Sequence, residues 1–385
     1  MDICKHDEYC GGCIYQGVDY EKQKDMKCQE VLRLLKDKEI EYGEFLGFEG
    51  CPNQYRYRNK MEYTFGDQVK DGEMTLGMHQ KGKFMSIVTV DSCQLVDEDF
   101  NRILSATLAF GNEKGYGFYH KKSHEGLLRN LIIRKGVRTR ELLVNIVTST
   151  QQDFDEEGYV KLICGLELEN TVVGVLRTLN DNIADAVNCE KLKVLYGRDY
   201  YMEKIMGLDF KVSAFSFFQT NVEAVERLYS EALDMIDDVK GKTVYDLFCG
   251  TGTISQALAL KAGEVYGVEI VSEAVDAARE NAALNGLENC HFTAGDVFDV
   301  LDNLERKPDV IVVDPPRVGI QNKALDKILA YGVDQILYIS CNPKTLALNL
   351  EIMVQRGYEV SKLKAYDNFP MTRHTEAVCL LNRRS

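Results

Sequence analysis

The chain has 385 residues, 45% of them hydrophobic and 28% charged, which describes a globular protein large enough for two or three domains with cores of their own. No run approaches the roughly 20 apolar residues of a membrane span, and Met1-Asp2-Ile3-Cys4-Lys5-His6 carries no apolar signal region, so a cytoplasmic protein without a membrane partner is expected. A net charge of −14 excludes an unselective nucleic-acid coat.

Twelve cysteines in a reducing compartment call for an explanation other than disulfides. Cys4, Cys10 and Cys13 crowd the N-terminus and supply three ligands of a thiolate site whose fourth must come from elsewhere. Zinc and an iron–sulfur cluster both fit that chemistry. A helix follows, over about Tyr20 to Lys38, with Val31, Leu32, Leu34 and Leu35 among charged neighbours. From about Cys51 to Met206 the pattern is mostly strand-like, as in Lys60–Phe65, Leu131–Arg134, Glu141–Val147 and Thr171–Leu176, with helices near Glu98–Phe110 and Asp155–Cys164. This predicts an α+β domain dominated by an antiparallel sheet. Residues 51–150 hold fifteen Lys/Arg against eleven Asp/Glu, a balance of +4 that leaves −18 on the remainder. Its basic clusters (Arg56 to Lys60, His120 to Lys122, Arg129 to Arg140) lie near Tyr55, Tyr57, Tyr63 and Tyr119, a combination suited to phosphate contact and base stacking on RNA.

After about Phe215 strands alternate with helices, which predicts a parallel doubly wound sheet. The strands are Thr243–Phe248, Glu264–Ile270, Cys290–Ala294, Asp309–Val313 and Gln335–Ile339, and the helices Ile254–Lys261, Ser272–Asn285, Lys323–Tyr331 and Pro343–Arg356. Glu359–Tyr366 and Glu376–Leu381 close the chain as an antiparallel hairpin. Five parallel strands plus a hairpin give a Rossmann-like sheet of seven strands, the layout of S-adenosylmethionine-dependent methyltransferases. The expected division is therefore 1–50 (cysteine knob and helix), 51–214 (RNA-binding α+β domain) and 215–385 (methyltransferase domain).

The loop Asp246-Leu247-Phe248-Cys249-Gly250-Thr251-Gly252 follows a strand and opens a helix, so Gly250 and Gly252 let the backbone approach a nucleotide-like ligand. Glu269 closes the next strand, where a carboxylate accepts ribose hydroxyls, and Asp296 after the third can meet an adenine. A dinucleotide enzyme would share this half-site. The downstream residues tip the reading to S-adenosylmethionine: Asp314-Pro315-Pro316-Arg317, then Ser340-Cys341-Asn342-Pro343, with no hydride-transfer apparatus. Amino-group methyltransferases place an aromatic after the double proline, and Arg317 cannot stack in its stead. C5 of uracil is a poor nucleophile until a thiolate adds at C6, and Cys341 is placed to be that nucleophile, its thiolate favoured by the helix that starts near Pro343. A base must then take the C5 proton. Glu376 is preferred and His374 competes by residue type.

These segments, with Ser216-Phe217-Phe218-Gln219-Thr220-Asn221 and the stretch from Phe369 to Glu376, resemble in order the RNA uracil-5-methyltransferases, over nearly the whole chain. The resemblance implies cofactor contacts at Gln219, Phe248, Glu269 and Asp314, Cys341 as nucleophile and Glu376 as proton acceptor; Gly250, Thr253 and Asp296 are also expected on the cofactor side. Thr253 stands where many members have Asn, and Met371 where many have His. Ribosomal-RNA members carry a [4Fe-4S] cluster with this N-terminal spacing. Their fourth ligand lies in a sequence like Asp91-Ser92-Cys93-Gln94-Leu95, which implies Cys93 rather than Cys28 or Cys51, and 23S rRNA as substrate ahead of tRNA. The remaining cysteines (Cys28, Cys51, Cys164, Cys189, Cys290, Cys379) are expected to be packing residues. The rival readings are a tRNA uridine-5 or RNA cytosine-5 methyltransferase and, from another class, a metal-bound RNA-binding module without catalysis. No obligate protein partner is implied.

Overall fold

Short β-branched runs bounded by turn residues become the strands of a large sheet because both of its faces are covered, leaving little room for polar side chains inside. The computed structural model describes residues 3–183, 191–304 and 306–384; Cys189 lies outside them. Among these residues two compact units can be distinguished, within Met1–Gly17, Asn53–Lys204 and Val212–Phe215 for one, and Val18–Pro52, Ile205–Lys211 and Ser216–Ser385 for the other.

The first unit carries a seven-stranded sheet in the order Lys83–Thr89, Met74–Gln80, Lys60–Asp67, Leu128–Gly136, Glu141–Thr148, Thr171–Leu179 and Lys191–Gly197. Every pairing is antiparallel except that of Glu141–Thr148 with Thr171–Leu179, which the helix Glu156–Cys164 connects as a crossover. Phe100, Ile103 and Leu104 of the helix Glu98–Glu113 pack with Leu131, Ile133 and Val144 of the sheet. Of the four tyrosines expected to stack on RNA, Tyr55 is half-buried and the other three are not available to a base. Tyr57, Tyr63 and Tyr119 are buried, and so are Arg129 and Arg134. The Arg129 guanidinium lies 4.1 Å from the centre of the Tyr119 ring and donates to the carbonyls of Asn180 and Asn182 at 2.8 Å. Burying a guanidinium demands such partners, so part of the basic segment serves the fold itself.

The second unit is built on an eight-stranded sheet in the order Tyr42–Glu49, Tyr358–Tyr366, Glu376–Arg383, Gln335–Ser340, Val310–Val313, Thr243–Leu247, Glu264–Glu269 and Cys290–Ala294. The last five run parallel, and Glu376–Arg383 is antiparallel to both of its neighbours. The Rossmann-like core is as expected, with one strand more, because Tyr42–Glu49 pairs in parallel with Tyr358–Tyr366. The helix Tyr20–Asp37 belongs to this unit too. Val31, Leu35 and Ile40 are buried in one core with Leu346, Leu350 and Met353, so a division between Gly17 and Val18 joins the one near residue 50, and the segment between them belongs to this unit. Strand order reverses between Thr243–Leu247 and Val310–Val313. At such a switch point the crossover helices leave on opposite faces and open a crevice at the strands' carboxyl ends.

Candidate active site

The glycine loop begins where Thr243–Leu247 ends. Phe248 has φ 68°, a left-handed conformation that is costly for a residue with a Cβ and clusters at functional sites. It is held there by two backbone bonds, Phe248 N–H and Cys249 N–H donating to the Val268 carbonyl at 2.8 and 3.0 Å. Gly250 (φ 54°) has open space where a Cβ would stand, whereas a Cβ on Gly252 (φ 77°) would meet the Phe292 ring at 2.9 Å. One glycine leaves room for a ligand and the other lets helix and sheet close up. Thr253 opens the helix Thr253–Ala259 beside them.

Glu269 ends the neighbouring strand with its carboxylate already oriented. Its oxygens accept from Gly250 N–H at 3.1 Å and Val271 N–H at 3.0 Å. Each keeps a lone pair for a further donor such as a ribose hydroxyl. Asp296 is exposed after Cys290–Ala294 and accepts from Phe298 N–H at 2.8 Å, capping a short helix at the rim.

Sheet register brings the rest together. Ser340 pairs with Ala377 in the antiparallel ladder, so Cys341, one step on, faces Glu376, one step back. On the other side of Gln335–Ser340, Val313 pairs in parallel with Tyr338, which brings Asp314 to the same edge. Asp314 N–H donates to the Leu247 carbonyl at 3.3 Å, fixing it beside the glycine loop. Tyr229 spans from its helix to Asp314, its hydroxyl donating to Oδ2 at 3.4 Å and accepting from Gln219 Nε2 at 3.0 Å. The Arg317 loop is pinned through its carbonyl, which accepts from Asn342 Nδ2 at 2.8 Å and Thr345 Oγ1 at 3.2 Å. Tyr229 and Asp246 were not singled out in the sequence as site residues, and an acidic residue at the end of an apolar run was the available signal for Asp246.

The electrostatics are those of a site crowded with carboxyls. Glu376 is only 8% exposed, and burial, then Asp314, push it up to about 8 against the pull of Arg317. Burial raises Asp314 to about 7, with the Tyr229 hydroxyl opposing. Asp246 is also raised to about 7, by burial and then, against a bond from Ser255, by Asp314 and Glu269. Its Oδ1 is buried without a partner among the described residues. Such a cluster is stabilised by a cation placed among it. Together with the open cradle at Gly250, these residues fit S-adenosylmethionine, whose sulfonium and ammonium groups are positive.

Cys341 departs from expectation in one respect. Its thiol is pushed up to about 11 by burial, then by Glu376 and Asp314, while Arg317 pulls the other way. The helix Pro343–Gln355 does begin two residues on, but the side chain of its N-cap Asn342 accepts from Lys344 N–H at 3.2 Å. Burial first, and then the carboxyls, outweigh what remains of the helix dipole. His374, the competing base, is half-buried with its ring set edge-on to Phe369 at 6.3 Å.

In the first unit Cys4, Cys10, Cys13 and Cys93 come into one neighbourhood. Burial raises Cys13 to about 12, and Cys93, Cys10 and Cys4 add to that rise. Cys93 is raised to about 11, again by burial first, with Cys10 and Cys4 contributing. Cys51 is placed elsewhere, accepting from Asn221 Nδ2 at 3.2 Å within the second unit. Among the described residues no three ligating side chains converge tightly enough, as they stand, to hold a metal ion. A thiolate set around a multi-iron cluster is wider than one around a single ion, and the residue types suit soft metal chemistry.

A family model described as tRNA (Uracil-5-)-methyltransferase matches residues 175–384. An uncharacterized RNA methyltransferase of Clostridium tetani is 49% identical over 375 residues, covering 97% of this chain and 82% of the relative. Another, from Caldanaerobacter subterraneus subsp. tengcongensis, is 51% identical over 380 residues, covering 99% and 84%. The crystal structure of Pyrococcus abyssi tRNA (uracil-54, C5)-methyltransferase in complex with S-adenosyl-L-homocysteine matches with a TM-score of 0.78 at 25% identity, over 97% of this chain and 86% of that one.

Proposed function

Because the chain belongs to the tRNA (uracil-5-)-methyltransferase family and is an S-adenosylmethionine-dependent RNA methyltransferase, we propose that Cys341 and Glu376 carry the methylation of C5 of a uridine in structured RNA, with 23S rRNA as the substrate. The observation that carries the reading is the register placing Cys341 opposite Glu376 and beside Asp314. S-adenosylmethionine, when bound, supplies an electrophilic methyl group. Cys341 Sγ, its proton given up to solvent, forms a bond to C6, and the C5=C6 π pair becomes available at C5 to take that methyl as S-adenosylhomocysteine leaves. Glu376 then accepts the C5 proton; the C–H pair re-forms C5=C6, and the S–C6 bond breaks to return the thiolate. Arg317, which acts on both Cys341 and Glu376, favours both ionised forms. Gln219, Phe248, Gly250, Thr253, Glu269, Asp296 and Asp314 line the cofactor side.

The uridine must leave its stack for thiol and methyl to reach it. On the first unit Phe84 is 67% exposed, stacks on His79 at 5.1 Å and has Lys121 Nζ 4.8 Å from its ring centre. This is a platform for a base beside cationic groups, and it replaces the buried tyrosines as the stacking surface. Cys4, Cys10, Cys13 and Cys93 hold a [4Fe-4S] cluster with a structural role in this reading, and their resemblance to ribosomal-RNA members favours 23S rRNA. A second reading, tRNA, is favoured by the named activity of the matching family model and of the Pyrococcus enzyme.

The test is mass-spectrometric mapping of 5-methyluridine in RNA from a strain lacking the gene. Loss from 23S rRNA is expected. Loss from tRNA alone would move the substrate to the second reading, and unchanged 5-methyluridine throughout would refute uracil methylation.

A further inference from the structure

The loop of residues 367–375 joins the two strands of the terminal hairpin and leads directly into Glu376, which pairs with Tyr366. Its fixings come largely from outside the hairpin. Lys27, on the helix Tyr20–Asp37, places its Nζ 2.6 Å from Asp367 Oδ1 and 3.2 Å from the Phe369 carbonyl. Both side chains of this pair are essentially sealed from solvent, at 1% and 0% exposure. One turn earlier Gln23, fully buried, accepts from Met371 N–H at 3.0 Å, while its Nε2 donates to Met371 Sδ at 3.3 Å and to the Val18 carbonyl at 2.8 Å. Met371 is itself left-handed (φ 67°) and buried, a conformation that persists only when its surroundings over-determine it. Asn221 completes the set by donating to the Asn368 carbonyl at 2.7 Å.

A buried lysine and a buried glutamine spent on one loop are costly devices, and the helix's apolar residues Val31 and Leu35 already dock it. We propose that Gln23 and Lys27 are positioning residues for the deprotonation step: they hold residues 367–371 so that the Glu376 carboxylate is aimed at the C5 proton and kept dry. The inference rests on the reading of Glu376 as proton acceptor. Cys341 is anchored on its own strand and helix, independently of this loop. Loosening the loop therefore slows proton removal while leaving thiol addition and methyl transfer in place, and the enzyme stalls as a methylated covalent adduct.

The experiment uses the full chain, S-adenosylmethionine and total RNA from the deletion strain, with Gln23→Met, Lys27→Met and Glu376→Gln assayed side by side. Turnover of Gln23→Met and Lys27→Met is expected to fall by ~10–100-fold, as for a misplaced catalytic group, while S-adenosylmethionine affinity is retained. The fraction of enzyme in an RNase-sensitive, denaturation-resistant band is expected to rise above wild type. Gln23→Met keeps the side-chain volume and carries the test should Lys27→Met not fold. If turnover and adduct fall together, the residues are merely structural and the inference is overturned. If Glu376→Gln traps adduct and neither helix variant does, the inference alone fails. If Glu376→Gln forms none, the base assignment fails and the inference with it.

Discussion

Binding of S-adenosylmethionine should expel protons. Asp246 and Asp314 sit at about 7 and Glu376 at about 8. At pH 7 each aspartate is then about half protonated and the glutamate about nine-tenths protonated, so the three groups together hold roughly two protons. A cation entering the cluster lowers all three values, since an opposite charge favours the ionised form. The sign follows: affinity is low where the protons must first be removed, rises with pH through about 7 to 8, and levels off above that. Release of about one to two protons at pH 7 corresponds to a gain in affinity of about 10- to 100-fold per pH unit there. Titration calorimetry at pH 7 in two buffers of different ionisation enthalpy counts the protons directly, and affinities at pH 6, 7, 8 and 9 give the same number as a slope. S-adenosylhomocysteine, lacking the sulfonium charge, should release fewer protons and show a shallower slope. Proton release near zero, with affinity unchanged from pH 6 to 8, would refute the cation-seeking site.

Tyr229→Phe removes the hydroxyl that joins Gln219 to Asp314; at about 1 kcal/mol per lost hydrogen bond, S-adenosylmethionine binding should weaken several-fold by calorimetry. The apparent Asp314 value should also move further up, because the bond that opposed its rise is gone. Anaerobically purified protein should show the visible absorbance of thiolate-ligated iron, and Cys93→Ala should lose it and have a lower melting temperature; a colourless wild type with stoichiometric zinc would overturn the cluster. Phe84→Ala should cost about 1–3 kcal/mol in RNA affinity by filter binding while leaving S-adenosylmethionine affinity unchanged.

The methyltransferase sheet was legible because its central parallel strands Val310–Val313 and Gln335–Ser340 are short, fully buried runs, each followed by a helical period. Chemistry collected at the ends of those runs for the same reason, so Asp314, Cys341 and Glu376 could be picked out by position. The strand Tyr42–Glu49 was not legible. It is an edge strand with two glycines, two glutamates and an exposed tyrosine along it, and its partner lies more than three hundred residues away. The allegiance of Tyr20–Asp37 was hidden similarly, since an amphipathic stripe does not say which core it faces. Tyr63 and Tyr119 misled because an aromatic beside arginines reads alike whether it meets a base or a buried guanidinium. The balance of forces on Cys341 is beyond the sequence as well: a helix N-terminus is local, while the opposing Glu376 arrives through strand pairing.

The most direct test of the chemistry is peptide mass spectrometry of the adduct formed by Glu376→Gln with S-adenosylmethionine and substrate RNA. A cross-linked peptide containing Cys341 and carrying a methylated uridine is expected, and Cys341→Ala introduced into the same protein should abolish it. Attachment through a different residue, or full methylation by Cys341→Ala with no adduct at any stage, would contradict the account.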